Sequence, residues 1–500
     1  MSRKLLPVAI AVLCATTLGG PSAASTSPEP APVPASSAPA ANVVLLMIDD
    51  ATAEDMEYMP NVQRLLVQQG TTFTRNYSPY PLCCPARATV LTGQYAHNHR
   101  VLDNVAPLGG ASVFDDSRTI ATYITDDYDT AIVGKYLNDF DTPTYVPPGW
   151  DTWEVPVKGT TYNYMNQTMS INGRLRDFPD TFVPHHYGNQ VRTFIANAKG
   201  SFFAFASFVA PHYGKPRETL NDPVSPYVEP KYQDTYAGPP LPEDQTFNEV
   251  DVSDKRPAVA NQPLLRPKRI AKISEQMAQR REALHSVDDE VGLIVRKVRR
   301  LGQLDNTYFV FVSDNGFMQG QHRITDGKSA AYEPAARVPL VIRGPGIPTG
   351  TYENVTGLQD LTPTILSMTG QWGDQPVAEI DGVSLLDLLA GQTTRRAQVL
   401  ETVHGAKLAD VQVEAGATPS TQMTQRLVSG SVPWDMRGIV TSDGWKYTVY
   451  PQTGAVEMYD LNIDPYEEQN VAGLPGYKDQ QVRLDHVYQQ YRSCSGSRCR

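Results

Sequence analysis

Four short apolar runs along the chain predict buried β-strands with polar or basic residues at their carboxyl ends. The runs cover residues 43–48, 130–133, 202–209 and 308–312. Near-continuous apolar composition is typical of parallel strands covered on both faces, and ligands bind at the carboxyl ends of such strands. The residues at those ends are Asp49, Asp50, Gly134, Lys135, Pro211, His212, Asp314, Asn315 and Gly316. We therefore expect these side chains to meet at one edge of a sheet.

The helical pattern supports the same fold class. From residue 270 to 301 apolar residues recur mostly three or four apart, which predicts a long amphipathic helix leading into the strand at 308. A helical crossover of this kind belongs to a parallel sheet. Residues 212–268 are rich in Pro, Asp and Tyr without periodicity, and we expect long surface loops there.

The pattern changes after about residue 390. Residues 405–432 have a loop-like composition, and the short strand-like pieces 438–441, 445–450 and 456–461 follow. With a helix over about 478–491, they predict a small antiparallel sheet closed by a helix. The predicted fold is α/β, with a large, mostly parallel sheet between helices in residues 42–390 and a smaller α+β domain in residues 391–500.

The first 41 residues predict export. A basic start, an apolar run from 5 to about 18 and small residues ending at Ala24 are typical of a secretory signal peptide over residues 1–24. Residues 25–41 are nearly all Pro, Ala, Ser and Thr and predict a flexible linker. The net charge of −11 argues against a nucleic-acid partner, and no apolar stretch reaches the length of a membrane span.

The candidate nucleophile is Cys83, which precedes Pro85 and an apolar segment that predicts a helix. The positive end of the helix dipole would make a cysteine there unusually easy to ionise. Two adjacent cysteines could also be ordinary buried thiols or a strained disulfide. Cys494 and Cys499 are close enough in sequence for a local disulfide in an oxidising compartment.

The run CCPARATVLTGQYAHNHRV resembles the signature of the type I sulfatases, in the branch that contains the N-acetylglucosamine-6-sulfatases. The resemblance implies an alkaline-phosphatase-like fold. It also implies that a formylglycine-generating enzyme oxidises Cys83, not Cys84, to formylglycine, and that Arg87 braces the modified residue. In the family, one hydroxyl of hydrated formylglycine attacks sulfur, and the other then loses a proton as sulfate leaves.

The resemblance also implies a metal site and a sulfate clamp. The metal ligands are Asp49, Asp50, Asp314, Asn315 and the modified residue 83. These oxygen donors suit calcium, our preferred ion, or magnesium rather than zinc. Lys135 and Lys328 are the expected sulfate clamps, and His212 the group that contacts sulfate and protonates the leaving oxygen.

One position departs from the family pattern. Many sulfatases have a histidine two residues after the first lysine, whereas this chain has Leu137 there, followed by Asn138. Asn138 is the candidate substitute as a neutral hydrogen-bonding group. His97 and His99 could pack or line the rim, and His322 could face the pocket.

We expect a secreted, calcium-dependent sulfatase acting on sulfated sugars or related sulfate monoesters. A phosphate or phosphonate ester hydrolase with the same nucleophile is the nearest alternative, because the superfamily shares the scaffold. The other is a non-catalytic sulfoglycan-binding protein in which Cys83 stays unmodified. A two-zinc phosphatase is disfavoured because no histidine-rich ligand cluster accompanies the acidic residues.

Overall fold

The computed structural model describes residues 40–125, 127–214, 216, 225–236, 244–373, 378–403, 432 and 434–500. The predicted signal peptide and nearly all of the predicted linker lie outside the described residues, as does almost all of the predicted loop at 405–432. Parts of the predicted loop region 212–268 also lie outside them.

The described strands form three separate sheets. In chain order the strands are β1 (Asn42–Asp49), β2 (Thr71–Phe73), β3 (Asn76–Tyr77), β4 (Tyr128–Gly134), β5 (Thr152–Pro156), β6 (Gln167–Ile171), β7 (Arg174–Phe178), β8 (Ser201–Pro211), β9 (Thr307–Ser313), β10 (Leu340–Arg343), β11 (Gly350–Tyr352), β12 (Thr356–Gly357), β13 (Ala397–Thr402), β14 (Met436–Thr441), β15 (Trp445–Tyr450) and β16 (Ala455–Asp460). Ten of them form the large sheet, in the spatial order β11-β2-β10-β9-β1-β8-β4-β5-β6-β7.

The four strands predicted from the apolar runs are neighbours at the centre of the large sheet. β1 pairs in parallel with β8 on one side and β9 on the other, and β4 pairs in parallel with β8. Their carboxyl ends therefore lie along one edge, as the sequence predicts. Antiparallel strands complete the sheet towards both of its ends.

The helices cover both faces of this sheet. In chain order they are α1 (Pro60–Leu65), α2 (Cys83–Thr92), α3 (Ala96–His99), α4 (Ile120–Tyr123), α5 (Val183–Asn197), α6 (Pro257–Ala260), α7 (Pro267–Arg300), α8 (Glu333–Ala336), α9 (Leu361–Met368), α10 (Leu385–Leu389) and α11 (Lys478–Tyr491). Short 3₁₀ helices lie at Glu54–Tyr58, Val67–Gln69, Pro230–Tyr232, Leu304–Asn306, Leu358–Asp360, Pro475–Tyr477 and Gly496–Cys499.

The large sheet has a hydrophobic core on each face, and successive side chains of β1 point alternately into one core and the other. Val43 and Leu45 pack in the core that contains residues of α2 and α9. Val44 and Leu46 pack on the opposite face with residues of α5 and α7. Because both faces of the strand are covered, every residue of β1 is buried, and this burial explains its continuous apolar sequence.

The remaining part of the predicted fold is also confirmed. β13, β14, β15 and β16 form a four-stranded antiparallel sheet, with α11 packed on it. The sequence analysis missed β13, which is the edge strand of this sheet. The division into domains at residue 390 stays a prediction. Among the described residues, no helix combines the length and the apolar character needed to cross a membrane.

Candidate active site

The carboxyl ends of the central strands bring four potential ligand groups together. Asp49 ends β1 and Asp50 follows it, His212 follows β8, and Cys83 begins α2. Each of the four offers an atom within 4.8 Å of the others, and all four are buried. Asp50 has a left-handed backbone (φ 69°), which aspartate tolerates better than most residues.

Cys83 occupies the first turn of α2, directly after Leu82 in extended conformation. Lys328 Nζ lies 2.9 Å from its Sγ atom, and Asp49 Oδ1 lies 3.7 Å away. Burial nevertheless raises the pKa of the Cys83 thiol, despite the attraction of Lys135 and Lys328. The expectation of a readily ionised cysteine is therefore wrong, because desolvation outweighs the nearby positive charges.

Two buried lysines pair with the two adjacent carboxylates. Lys135, at the end of β4, forms an ion pair with Asp49, and Lys328 Nζ lies 2.6 Å from Asp50 Oδ1. Although burial disfavours the charge on Asp49, Lys135, His212 and Arg87 hold its pKa well below the usual range. Asp49 raises the pKa of Lys135 despite the opposing effect of burial. The site thus holds charges of both signs away from solvent.

Arg87 connects α2 to three strand ends. Its Nε atom donates to Asp314 Oδ2 at 2.7 Å, and Nη1 donates to Ser207 Oγ and to the Lys135 carbonyl, both at 2.8 Å. Nη2 lies 3.4 Å from Asp49 Oδ2. The guanidinium therefore fixes the carboxylates relative to the helix that carries Cys83.

The oxygen atoms at the strand ends fit a hard divalent cation. Asp50 Oδ2 and Asn315 Oδ1 are buried and have no hydrogen-bond donor within the described part of the chain. Asn315 lies against Asp50, and the Asp314 carboxylate accepts the backbone N–H of Asp50 at 3.2 Å. Burial and the charge of Asp49 raise the pKa of Asp314 to about 6, so a cation there would favour its charged form.

Tyr162 is a site residue that the sequence analysis missed. Its ring stacks on His212 with centroids 4.2 Å apart, and Lys135 Nζ lies 4.8 Å from its centre. Its hydroxyl accepts a hydrogen bond from Asn138 Nδ2 at 2.8 Å. Asn138 thus reaches the cluster through Tyr162. Tyr162 lies in a loop without periodicity, so no sequence pattern marked it.

Arg280, on α7, is a second missed residue. Its guanidinium donates to the backbone carbonyls of Asp50 and Pro211, so it ties together the carboxyl ends of β1 and β8. It also lies over the ring of Phe317, 4.5 Å from the centroid. A buried arginine on the core face of a helix is unusual, and that was the available sequence signal.

The other predicted residues have different surroundings. Cys84 Sγ accepts the backbone N–H of Asn138 at 2.9 Å, and burial raises its pKa to about 12. His97 pairs with Glu401, and His99 Nε2 lies 3.0 Å from Thr89 Oγ1.

His322 Nδ1 lies 2.7 Å from Glu249 Oε2, and its ring packs against Tyr332. Cys494 and Cys499 form a disulfide with Cα atoms 5.1 Å apart.

A sequence model of the sulfatase family matches residues 41–371. Human N-acetylglucosamine-6-sulfatase is 29% identical over 497 residues, which cover 92% of this chain and 86% of the human protein. Extracellular sulfatase homologs of Caenorhabditis elegans and Drosophila melanogaster are each 32% identical over 70% of the chain. The chain spans 49% and 31% of the lengths of those two proteins.

Solved structures show the same fold. A protein described in complex with its substrate D-glucosamine-2-N,6-O-disulfate has a TM-score of 0.71 and 22% identity, and the match covers 90% of this chain and 97% of that one. A phosphonate monoester hydrolase from Silicibacter pomeroyi has a TM-score of 0.62 and 22% identity, with 90% and 95% of the chains covered.

Proposed function

The chain belongs to the sulfatase family, and from that membership we propose that it hydrolyses sulfate monoesters of sulfated sugars outside the cell. The observation that carries the proposal is the surroundings of Cys83. Its sulfur contacts Lys328 and lies beside Asp49, within a buried cluster that also holds Asp50 and His212. A nucleophile, cationic groups for an anion and oxygen ligands for a metal are the parts that sulfate transfer needs.

Maturation by a formylglycine-generating enzyme converts Cys83 to formylglycine, whose hydrated form supplies the nucleophile for sulfur. Cys84 keeps its thiol and stays unmodified. Its sulfur holds the backbone of Asn138, beside the cluster. The two adjacent cysteines therefore have separate roles, one chemical and one positional.

The sulfate group binds between the two lysines. Lys135 pairs with Asp49 and Lys328 with Asp50, so each brings a compact positive charge to the cluster. Both ammonium groups can donate to sulfate oxygens when the substrate binds. His212 Nδ1 lies 2.8 Å from the Tyr213 carbonyl, which favours a proton on Nδ1. As an imidazolium, His212 keeps the Nδ1 proton, and its Nε2–H contacts sulfate and gives its proton to the leaving oxygen, which leaves the ring neutral. Arg87 braces the helix, and Asn138 provides a neutral hydrogen-bonding group.

Asp49, Asp50, Asp314 and Asn315 hold one divalent metal, with residue 83 as a further ligand. All four side chains offer oxygen, and two of their buried oxygen atoms have no hydrogen-bond donor among the described residues. Calcium is the preferred ion because it accepts many oxygen ligands in irregular geometry, and magnesium is the alternative. Bound at this place, the ion supplies positive charge towards the sulfate oxygens.

The substrate is a glycosaminoglycan-type sugar similar to N-acetylglucosamine 6-sulfate. The long match to N-acetylglucosamine-6-sulfatase and the fold shared with a protein that binds a glucosamine disulfate support this choice. The extracellular relatives and the signal-like first 24 residues support export.

A phosphonate or phosphate monoester hydrolase is the second candidate function. The observation in its favour is the fold shared with two phosphonate monoester hydrolases, at TM-scores of 0.62 and 0.61. Both kinds of ester present a tetrahedral anion, which the same lysines and metal could bind. Relative kcat/KM for N-acetylglucosamine 6-sulfate and for a phenyl phosphonate monoester separates the two.

The first test is the mass of the tryptic peptide 76–87 after alkylation, measured on protein from the native host. We expect formylglycine at residue 83 and an alkylated Cys84. Released sulfate from a panel of sulfated sugars is then measured, with Cys83→Ala as the inactive control. Two unmodified cysteines and calcium-dependent glycan binding without turnover would instead support the sulfoglycan-binding protein.

A further inference from the structure

The buried cluster at the strand ends has the composition of a zinc site for as long as residue 83 is a cysteine. It then holds one thiol, one imidazole and two carboxylates, from Cys83, His212, Asp49 and Asp50. Zinc combines sulfur, nitrogen and carboxylate oxygen in four-coordinate sites, whereas calcium and magnesium take oxygen ligands. The calcium site proposed for the mature enzyme differs, because it has no sulfur and leaves His212 to the substrate.

The ligand atoms are spaced nearly as a tetrahedral zinc ion requires. Zinc bonds of about 2.3 Å to sulfur and about 2.0–2.2 Å to nitrogen and oxygen set sulfur–oxygen distances of about 3.6 Å and nitrogen–oxygen distances of about 3.4 Å. Cys83 Sγ lies 3.7 Å from Asp49 Oδ1, and His212 Nε2 lies 3.6 Å from Asp50 Oδ2. One ligand atom of each side chain lies within 4.8 Å of the other three, so inward shifts of about 1 Å complete the site.

Each carboxylate presents one oxygen to this cluster and has the other held by a lysine. Asp49 pairs through Oδ2 with Lys135, and its Oδ1 is the oxygen that lies beside Cys83. Asp50 pairs through Oδ1 with Lys328, and its buried Oδ2 has no hydrogen-bond donor among the described residues. A buried carboxylate oxygen without a donor is costly, so Asp50 Oδ2 points to a bound cation.

The orientation of His212 is the usual one for a metal-binding histidine. Its Nδ1 atom lies 2.8 Å from the backbone carbonyl of Tyr213, and Tyr162 stacks on the ring. A histidine that binds a metal almost always donates its other ring N–H to a carbonyl or carboxylate, which fixes the tautomer. In the neutral ring the lone pair is therefore on Nε2, the nitrogen that lies beside Asp50 Oδ2.

We propose that the unmodified protein binds one zinc ion through one sulfur, one nitrogen and two oxygen ligands, from Cys83, His212, Asp49 and Asp50. The thiol proton leaves to water as the zinc–sulfur bond forms. On the proposed function, oxidation of Cys83 then removes the sulfur, and the oxygen ligands that remain suit calcium. Residue 83 thus determines which metal the cluster selects. Zinc binding by the thiol form does not itself depend on sulfatase activity.

Cobalt(II) reports on this site directly, because it can replace zinc and absorbs characteristically when it bonds to thiolate sulfur. The full chain is made without an affinity tag in a host that lacks the formylglycine-generating enzyme, and the mass of peptide 76–87 checks that both cysteines are unmodified. We expect added cobalt to give a thiolate-to-cobalt charge-transfer band and the intense visible bands of tetrahedral cobalt. Equimolar zinc should abolish them, because zinc loses no ligand-field energy in tetrahedral geometry.

Variants identify the ligands. Cys83→Ser should abolish the charge-transfer band and weaken zinc binding more than about 100-fold, beyond the effect of changing a group that only orients a ligand. His212→Gln should keep the band and weaken zinc binding by a similar factor. Cys84→Ser is the matched control, because a serine hydroxyl can still accept the backbone N–H of Asn138. It should leave the spectrum unchanged. Competition with a zinc-binding dye measures the affinities.

Cobalt bound without a charge-transfer band, or a band that survives Cys83→Ser, would overturn the proposal. So would a thiol form that is folded by circular dichroism and binds neither metal. The formylglycine form of the same protein, which should lack the band, gives the comparison even if Cys83→Ser fails to fold. Formylglycine at residue 83 without sulfate release would remove the proposed function, and the zinc result for the thiol form would stand.

Discussion

Tyr162 connects His212, the proposed acid, to Asn138, the candidate substitute for the histidine that many sulfatases have at position 137. Its ring stacks on His212 and its hydroxyl accepts the Asn138 amide. A histidine at position 137 would have served the nucleophile directly, but the chain has leucine there. The tyrosine therefore gives Asn138 a fixed place beside the cluster, which the residue types alone did not reveal.

Tyr162→Ala should lower kcat roughly two- to tenfold, the range expected for losing one aromatic contact with His212. Tyr162→Phe keeps the stacked ring and should retain more activity than the alanine variant. Steady-state kinetics on N-acetylglucosamine 6-sulfate measures both. Tyr145→Ala, at a tyrosine that is 46% exposed, is the control. Equal kcat in the alanine variant and the wild type would show that the stacking has no role in turnover.

Among the elements, α7 does more than cover the sheet. Arg280 donates to the carbonyls of Asp50, directly after β1, and of Pro211, the last residue of β8. The helix thus ties together two strand ends beside the proposed metal site. Its apolar periodicity predicted a crossover helix correctly, but periodicity does not show which polar residues of a helix are buried.

Arg280→Gln should weaken calcium binding roughly 10- to 100-fold, the usual effect of changing a residue that orients metal ligands. The reason is that the carbonyl of Asp50 loses the donor that fixes its left-handed backbone. Calcium titration by calorimetry measures the change, and Arg299→Gln on the same helix is the control. Unchanged calcium affinity in a folded Arg280→Gln protein would refute this role.

The short helix α3 is joined to β13 by an ion pair that depends on pH. Both ring nitrogens of His97 face acceptors, at Glu401 and at the Cys494 carbonyl. Burial opposes the charge on His97, but Glu401 raises its pKa above 6.5. Although burial opposes the charge on Glu401 as well, His97 and Arg437 lower its pKa to about 2.

The pair should therefore stabilise the fold most between about pH 4.5 and 6.5. Above pH 6.5 the advantage declines as the pH rises through the raised pKa of His97 in the folded protein. Below pH 4.5 it falls towards pH 2, because the unfolded chain binds the Glu401 proton before the folded protein does. The free energy of unfolding in urea, compared between wild type and His97→Gln from pH 4 to 9, isolates this contribution. A difference that does not vary with pH would contradict the assignment.

At the scale of the whole molecule, a buried ionic network joins the small sheet to the segment around α8. Lys446 on β15 lies 2.7 Å from both Glu333 and Glu467, and it donates to the Ala331 carbonyl at 2.8 Å. Glu333 begins α8, which follows Lys328 in the chain. The C-terminal sheet therefore supports the segment that carries a proposed sulfate clamp.

Lys446→Met should lower the free energy of unfolding by about 3–5 kcal/mol, because it removes the cation that the buried Glu333 and Glu467 share, and Arg337 remains beside Glu333 only. Unfolding should remain one transition if the two sheets are cooperative. Urea titration followed by circular dichroism measures both, with the exposed Lys478→Met as control. Separate transitions for the two sheets would show that residues after 390 fold independently.

Much of the fold could be predicted because buried strands have a recognisable apolar sequence. The central strands are apolar throughout, and polar residues mark where they end. β13 was missed because Gln398, Glu401 and Thr402 are buried polar residues in a strand, held by long-range partners that local pattern does not contain. The raised pKa of Cys83 was missed for a related reason. Its position at the start of a helix can be predicted from nearby residues, whereas its burial depends on the whole fold.

Complete burial of Cys83 also dictates an order of events during biosynthesis. In the folded chain a modifying enzyme has no access to this side chain, so the oxidation that we propose has to precede closure of the site. Asp314, which pairs with Arg87 to close the site, lies 227 residues further along the chain. Synthesis of that stretch takes roughly 10–45 s. On the proposed function, oxidation of Cys83 therefore competes in time with the synthesis and docking of β9, and slower translation would favour a more active product.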